Sequence, residues 1–225
     1  MNGFEELGTA LDELRAFFEA RGWPYCLVGG LAANRWGEVR HTQDVDLTVW
    51  AEIGDEDQVI DGLLKEFSIR RGRFRTSSQG KSFALQSRVL LLQSKDGAQI
   101  DVALASSGFE AEMLRRAKPV AISRGRKFRT ASAEDIIVMK TLAGRTHDWK
   151  DIEGIIARQR DKLDWDYVHR WLDPLLELTE MPERGEELEG LRQRLTSRPK
   201  KLVNKRKPLA KSPANRVTRK KRGSP

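Results

Sequence analysis

A single cysteine and three histidines in 225 residues leave little room for cysteine or histidine chemistry. With Cys26 alone no intramolecular disulfide forms, and the chain suits a reducing cytoplasm. Cys26 lies in an apolar stretch and reads as a small buried hydrophobe rather than a reactive thiol. His147 and His169 have no cysteine or second histidine at a metal-binding spacing, which argues against a zinc centre. No apolar run reaches membrane-spanning length, and the N-terminus shows no basic-then-apolar leader pattern. A soluble cytoplasmic protein without membrane contact is expected. No internal repeat is present.

Acid is also missing from one end. Of the 41 basic residues 12 fall in 197–225, where there is no Asp or Glu, leaving 29 against 33 acids in the remainder. The body is slightly acidic and the tail supplies the net charge of +8. Rich in Lys, Pro and Ser and without apolar periodicity, the tail is expected to be disordered. It is either a solubilising extension or an arm adding salt-sensitive affinity for nucleic acid.

What is present centres on Tyr25–Trp50. A buried-looking run, Tyr25-Cys26-Leu27-Val28, ends at Gly29-Gly30, which open a short helix whose free N–H groups would face a phosphate. A second strand follows. In it Asp44, Asp46, Thr48 and Trp50 share one face, and Val45, Leu47 and Val49 form the core face. Two carboxylates side by side repel unless a cation lies between them, and Mg²⁺ suits oxygen ligands and substrate phosphates.

With Arg40 and Thr42 in Arg-x-Thr-x-Asp-Val-Asp-Leu, this stretch resembles the nucleotidyltransferase superfamily with a DNA polymerase beta-like palm, whose first motif is Gly-Gly or Gly-Ser followed by Asp-x-Asp. The resemblance implies Asp44 and Asp46 as metal ligands. Strands are expected over 87–94 and 98–104, joined at the turn Asp96-Gly97. Asp101 is the one acid in the core-like second strand, where it needs a partner or a metal. It matches the superfamily's third metal-binding carboxylate.

Elsewhere, apolar spacing predicts helices over 5–20, 56–67, 107–117, 132–143 and 164–179, the last kinked or ended by Pro174, and a final one over 183–195. Lys118 to Thr130 reads as two short strands around Arg124-Gly125-Arg126. Arg70, Arg71, Arg73 and Arg75 read as a solvated hairpin edge or as a surface for phosphates. Lys140 lies near the apolar face of its helix, as a snorkelling lysine would. Asp148 and Asp151 share one face of the next helix near its N-terminus, where negative charge is favoured.

Lys140, a break at Gly144, and then Asp148-x-x-Asp151 are similar to the later motifs of the abortive-infection (AbiEii-type) toxin nucleotidyltransferases of type IV toxin-antitoxin systems. This implies Lys140 as a triphosphate contact and Asp148 as an active-site acid. The expected fold is α+β: a mixed-sheet palm over 1–130 flanked by helices, a C-terminal helical region over 131–196, and the tail over 197–225. The expected activity is Mg²⁺-dependent transfer of a nucleoside monophosphate from a nucleoside triphosphate to an acceptor. Asp44, Asp46 and Asp101 hold the metal, and Gly29, Gly30, Arg40, Thr42 and Lys140 hold the nucleotide. RNA or tRNA is the expected acceptor, with a toxin-like role and a possible cognate antitoxin. The alternatives are an enzyme of the same fold acting on a small molecule such as an antibiotic, and a non-catalytic nucleic-acid-binding relic.

Overall fold

The computed structural model describes residues 3–123 and 125–196, so the basic tail and Arg124 lie outside the described residues. Seventeen elements follow the expected order with one exception. α1 (Gly3–Arg21) leads to β1 (Tyr25–Leu27), α2 (Gly29–Trp36) and β2 (Asp44–Trp50). Then come α3 (Glu56–Glu66), β3 (Ser68–Ile69), α4 (Ser77–Ser87), β4 (Val89–Gln93) and β5 (Gln99–Ala105). α5 (Gly108–Arg116), β6 (Lys118–Ser123) and β7 (Arg126–Thr130) precede α6 (Ala133–Ala143) and α7 (Thr146–Gln159). A short 3₁₀ turn (Arg160–Lys162), α8 (Trp165–Leu178) and α9 (Glu183–Thr196) complete it.

The exception is α4. The stretch from Arg70 to Arg75 was read as a hairpin edge or a phosphate surface; β3 ends just before it, a single bridge joins Arg71 and Phe74, and a helix follows. Local packing decides it. Thr76 caps α4 by accepting from the Gln79 N–H at 3.3 Å, and Gly80 has no Cβ because Ile69 fills that space. Gly80 and the Ser-rich start hide this helix from a reading by periodicity. Pro174, expected to kink or end its helix, does not end it, since α8 runs through it. The residue is exposed, so the carbonyl that its ring deprives of a partner faces water.

All seven strands form one mixed sheet in the order β3-β4-β5-β2-β1-β7-β6. β2 runs parallel to β5 and antiparallel to β1, and β4–β5 is the expected hairpin, with Gly97 at φ +95°. The alternation in β2 turns Val45, Leu47 and Val49 toward a core built with Leu14 and Phe18 of α1 and Ile60 and Leu63 of α3. On the opposite face, Cys26 and Val28 join a second core with Met113 of α5, Ile136 and Ile137 of α6, and Ile152 and Ile155 of α7. Both faces are therefore covered, which is why Thr48, on the acid face of β2, is as buried as the valines opposite. Burial pushes the Cys26 thiol well up, in keeping with a packing role. No described helix is long and apolar enough to cross a membrane.

Candidate active site

α2 begins without a capping side chain of its own, since its N-cap is Val28. Asp46 takes that place from the neighbouring strand: its Oδ2 accepts from the Gly30 N–H at 3.2 Å, while its carbonyl accepts from the Val28 N–H at 2.9 Å. Gly29 sits at φ +60°, and a Cβ there would overlap the Asp46 carboxylate. A Cβ on Gly30 would come within 2.6 Å of Thr42 Oγ1. The Gly-Gly pair is thus needed for the turn to lie against Asp46 and Thr42. One of the helix-end donors expected to face a phosphate is already used by Asp46.

The parallel register of β2 and β5 sets Asp46 beside Asp101 and Asp44 beside Gln99, so three carboxylates gather on one strand edge. Burial pushes Asp46 above the usual carboxylate range against the Gly30 N–H, with the charges of Asp101 and Asp44 adding to the rise. Burial likewise raises Asp101, although Arg70 pulls it down. Arg70 is the partner that an acid in a core-like strand requires: its Nη2 donates to Asp101 Oδ1. Asp101, assigned to a metal from the sequence, therefore has a side-chain cation of its own.

Facing this edge are α6 and α7. Lys140 is buried, and its Nζ lies 2.6 Å from Asp148 Oδ1 and 2.7 Å from Asp151 Oδ2. Arg40 grips Asp151 with both arms of its guanidinium, Nε to Oδ1 at 2.7 Å and Nη2 to Oδ2 at 2.8 Å. Asn34 holds the Arg40 backbone from both sides, donating to its carbonyl at 2.7 Å and accepting its N–H at 3.0 Å. Although burial works the other way, Arg40 and Lys140 hold Asp151 below the usual carboxylate range. Lys140 is not a solvent-reaching lysine, and its ammonium, expected to meet a triphosphate, is committed to two carboxylates. Asp148 keeps one buried oxygen, Oδ2, without a hydrogen-bond partner.

Between the two sides lies a cleft of about 540 Å³. Gly29, Gly30, Arg40, Thr42, Asp44, Asp46, Asp101, Lys140 and Asp148 all line it, so every site residue expected from the sequence converges here. Arg145 and His147 line it too and were not expected. Their only local signal is proximity to Asp148.

Residues 5–186 match the family described as "Nucleotidyltransferase of unknown function (DUF6036)". The chain belongs to this family. It is therefore a nucleotidyltransferase by family, as the Gly-Gly and Asp-x-Asp pattern implied. No curated protein matches it. Among solved structures it is similar to an antigenic nucleotidyltransferase-like protein from Paracoccidioides brasiliensis, at 18% identity over 84% of this chain and 93% of that one, with a TM-score of 0.47. It is also similar to the antibiotic-resistance factor ANT(2'')-Ia in solution, at 20% identity over 80% and 96%, with a TM-score of 0.47. The same factor in complex with adenylyl-2''-tobramycin aligns at 18% identity over 84% and 96%, with a TM-score of 0.45. At such distances the ligands of those proteins say nothing about the acceptor of this one.

The donor set beside β2 suits a hard divalent cation: its groups are all carboxylates, and Asp46 is raised by burial with a further rise from Asp101 and Asp44. Among the described residues no three His, Cys, Asp or Glu groups form a ready-made cage. That arrangement fits an ion held by one or two carboxylates together with substrate phosphates.

Proposed function

We propose that this chain transfers a nucleoside monophosphate from a nucleoside triphosphate to a hydroxyl of RNA, releasing pyrophosphate. The observation that carries the reading is the packing of Asp46 against Gly29-Gly30, which joins a phosphate-approach turn to a cation-holding strand in one cleft. Asp44 and Asp46 would hold Mg²⁺. When bound, the ion neutralises charge on the triphosphate and on the departing pyrophosphate.

The protein's own groups supply the rest. Gly29 and Gly30 let the triphosphate approach the backbone, and the exposed Arg145 gives it positive charge. Lys140, fixed by Asp148 and Asp151, sets the position of Asp148 at the cleft wall. The acceptor hydroxyl oxygen bonds to the α-phosphorus as the bond from that phosphorus to the pyrophosphate oxygen breaks. Its proton passes to Asp101, whose Oδ1 is held by Arg70 and whose raised affinity for a proton suits a base. RNA is favoured as acceptor because Arg71, Arg73 and Arg75 are exposed next to Arg70, beside the strand edge, where they would meet a phosphate backbone.

The test incubates the full chain with each α-labelled nucleoside triphosphate, Mg²⁺ and total RNA, with Asp46→Asn as control. Label entering RNA with the wild type alone is the expected result. Label entering a small molecule instead would move the acceptor to the antibiotic-type alternative, and label nowhere would favour the non-catalytic relic.

A further inference from the structure

Arg70, read from the sequence as part of a hairpin edge or a phosphate surface, instead reaches the acid cluster. Its backbone N–H donates to the Leu91 carbonyl at 3.1 Å, anchoring the end of β3 to β4. Leu91 stands opposite Asp101 in the β4–β5 register, so the Arg70 side chain crosses β4 to reach the acid. The guanidinium is mostly buried, with 17% of the side chain exposed against 30% for Asp101, and its Nε is buried with no hydrogen-bond partner. Among the described residues Asp101 is the carboxylate it pairs with.

Resting on the proposed function, we infer that Arg70 stands in for a second divalent cation: it neutralises Asp101 permanently, so the chain takes one divalent ion, at Asp44 and Asp46. Three features support this. A guanidinium stays protonated at any pH the protein tolerates, so its charge cannot leave as a bound ion can. An ion arriving at Asp101 would have to displace a mostly buried guanidinium whose ion-pair partner among the described residues is Asp101, and a buried charge that loses its partner is unfavourable. The described residues also offer no three-ligand cage that would reward the exchange. Arg70 is accordingly a positioning residue: it fixes the orientation of the Asp101 carboxylate and keeps it from becoming a metal ligand.

The experiment counts Mn²⁺ bound to the full-length chain by the electron paramagnetic resonance of the free ion, for wild type, R70Q, R70K and D101N, with circular dichroism to verify folding. Wild type and R70K should bind one ion. R70Q should bind a second about tenfold or more tightly than any second ion on the wild type, the scale on which an opposite charge at contact alters a carboxylate. D101N should still bind one ion, with an affinity lowered by no more than the roughly 10–100-fold of a group beside the ligand set rather than in it. Two ions on the wild type, one on folded R70Q, or a larger loss in D101N would each overturn the inference. Should R70Q fail to fold, the wild-type count and D101N still decide it. Failure of the proposed function looks different: the wild type would then bind no Mn²⁺, or bind it unchanged after Asp46→Asn.

Discussion

The two walls of the cleft handle charge in opposite ways. On the strand edge, among the described residues, the one side-chain ion pair of Asp44, Asp46 and Asp101 is that of Asp101 with Arg70, and burial leaves Asp46 with a raised affinity for protons. Across the cleft Asp148 and Asp151 face two cations, Arg40 and Lys140, and Asp151 is held below the usual carboxylate range. The strand edge carries surplus negative charge that a bound cation can use. The helix side is balanced, and its salt bridges lock α6, α7 and the Arg40 loop together. A carboxylate in this protein is therefore to be judged by the cations near it, not by its residue type.

Substitutions on the two walls should therefore separate activity from stability. The largest effect is expected from Asp46→Asn, which should reduce nucleotidyl transfer about a thousandfold or more, the weight of a metal ligand in the transition state. Its melting temperature should not fall, because an amide oxygen still accepts from Gly30 and the repulsion among the three acids is relieved. Loss of fold in this variant would break the contrast.

Asp151→Asn should do the reverse, lowering stability by about 3 kcal/mol in denaturant unfolding, because Arg40 and buried Lys140 lose a shared counter-charge. Asp148→Asn should cost less, since Lys140 keeps Asp151. The pH dependence follows in sign. A lowered folded-state value means that the stabilisation is fully present above the unfolded aspartate value of about 3.9 and is lost as pH falls through the lower folded value. Wild type should lose this stability in acid below about pH 4. Asp151→Asn should lack that component, and parallel acid titrations would contradict the assignment.

Gly29→Ala tests the join between turn and carboxylate. Both the left-handed backbone and the clash with Asp46 oppose it, so a loss of about 1–3 kcal/mol is expected by thermal unfolding, together with weakened Mn²⁺ binding. Smallest of all, Arg71→Ala and Arg73→Ala should leave stability within about 0.5 kcal/mol, because both residues are exposed. They should nevertheless weaken RNA binding at low salt and flatten its salt dependence. Unchanged RNA affinity would remove the reason to place an RNA chain along that edge.

Much of this was legible before the fold. The alternation in Asp44–Trp50 is a property of any strand, so which side chains share the face of Asp44 and Asp46 followed from spacing alone. The hairpin at Asp96-Gly97 and the helix expected from 132 rest on residues within a few positions of each other, and both are present, the helix opening on a capping box of Ser132 and Asp135. α4 was missed because its evidence is not periodic: a capping threonine and a glycine pressed against Ile69 decide it.

What the sequence by itself determined is the set of chemical groups and the local conformations that carry them: the Gly-Gly turn, the acid strand, and Lys140 and Asp148 on successive helices. What the tertiary structure decided is which charge answers which. Arg70 and Asp101 are 31 residues apart, and Arg40 and Asp151 are 111 apart. No spacing rule reaches that far. These partners are chosen by the antiparallel registers that join β3, β4 and β5 and by the packing of α6 and α7 over the sheet, because an ion pair depends on separation in space and on the water excluded around it.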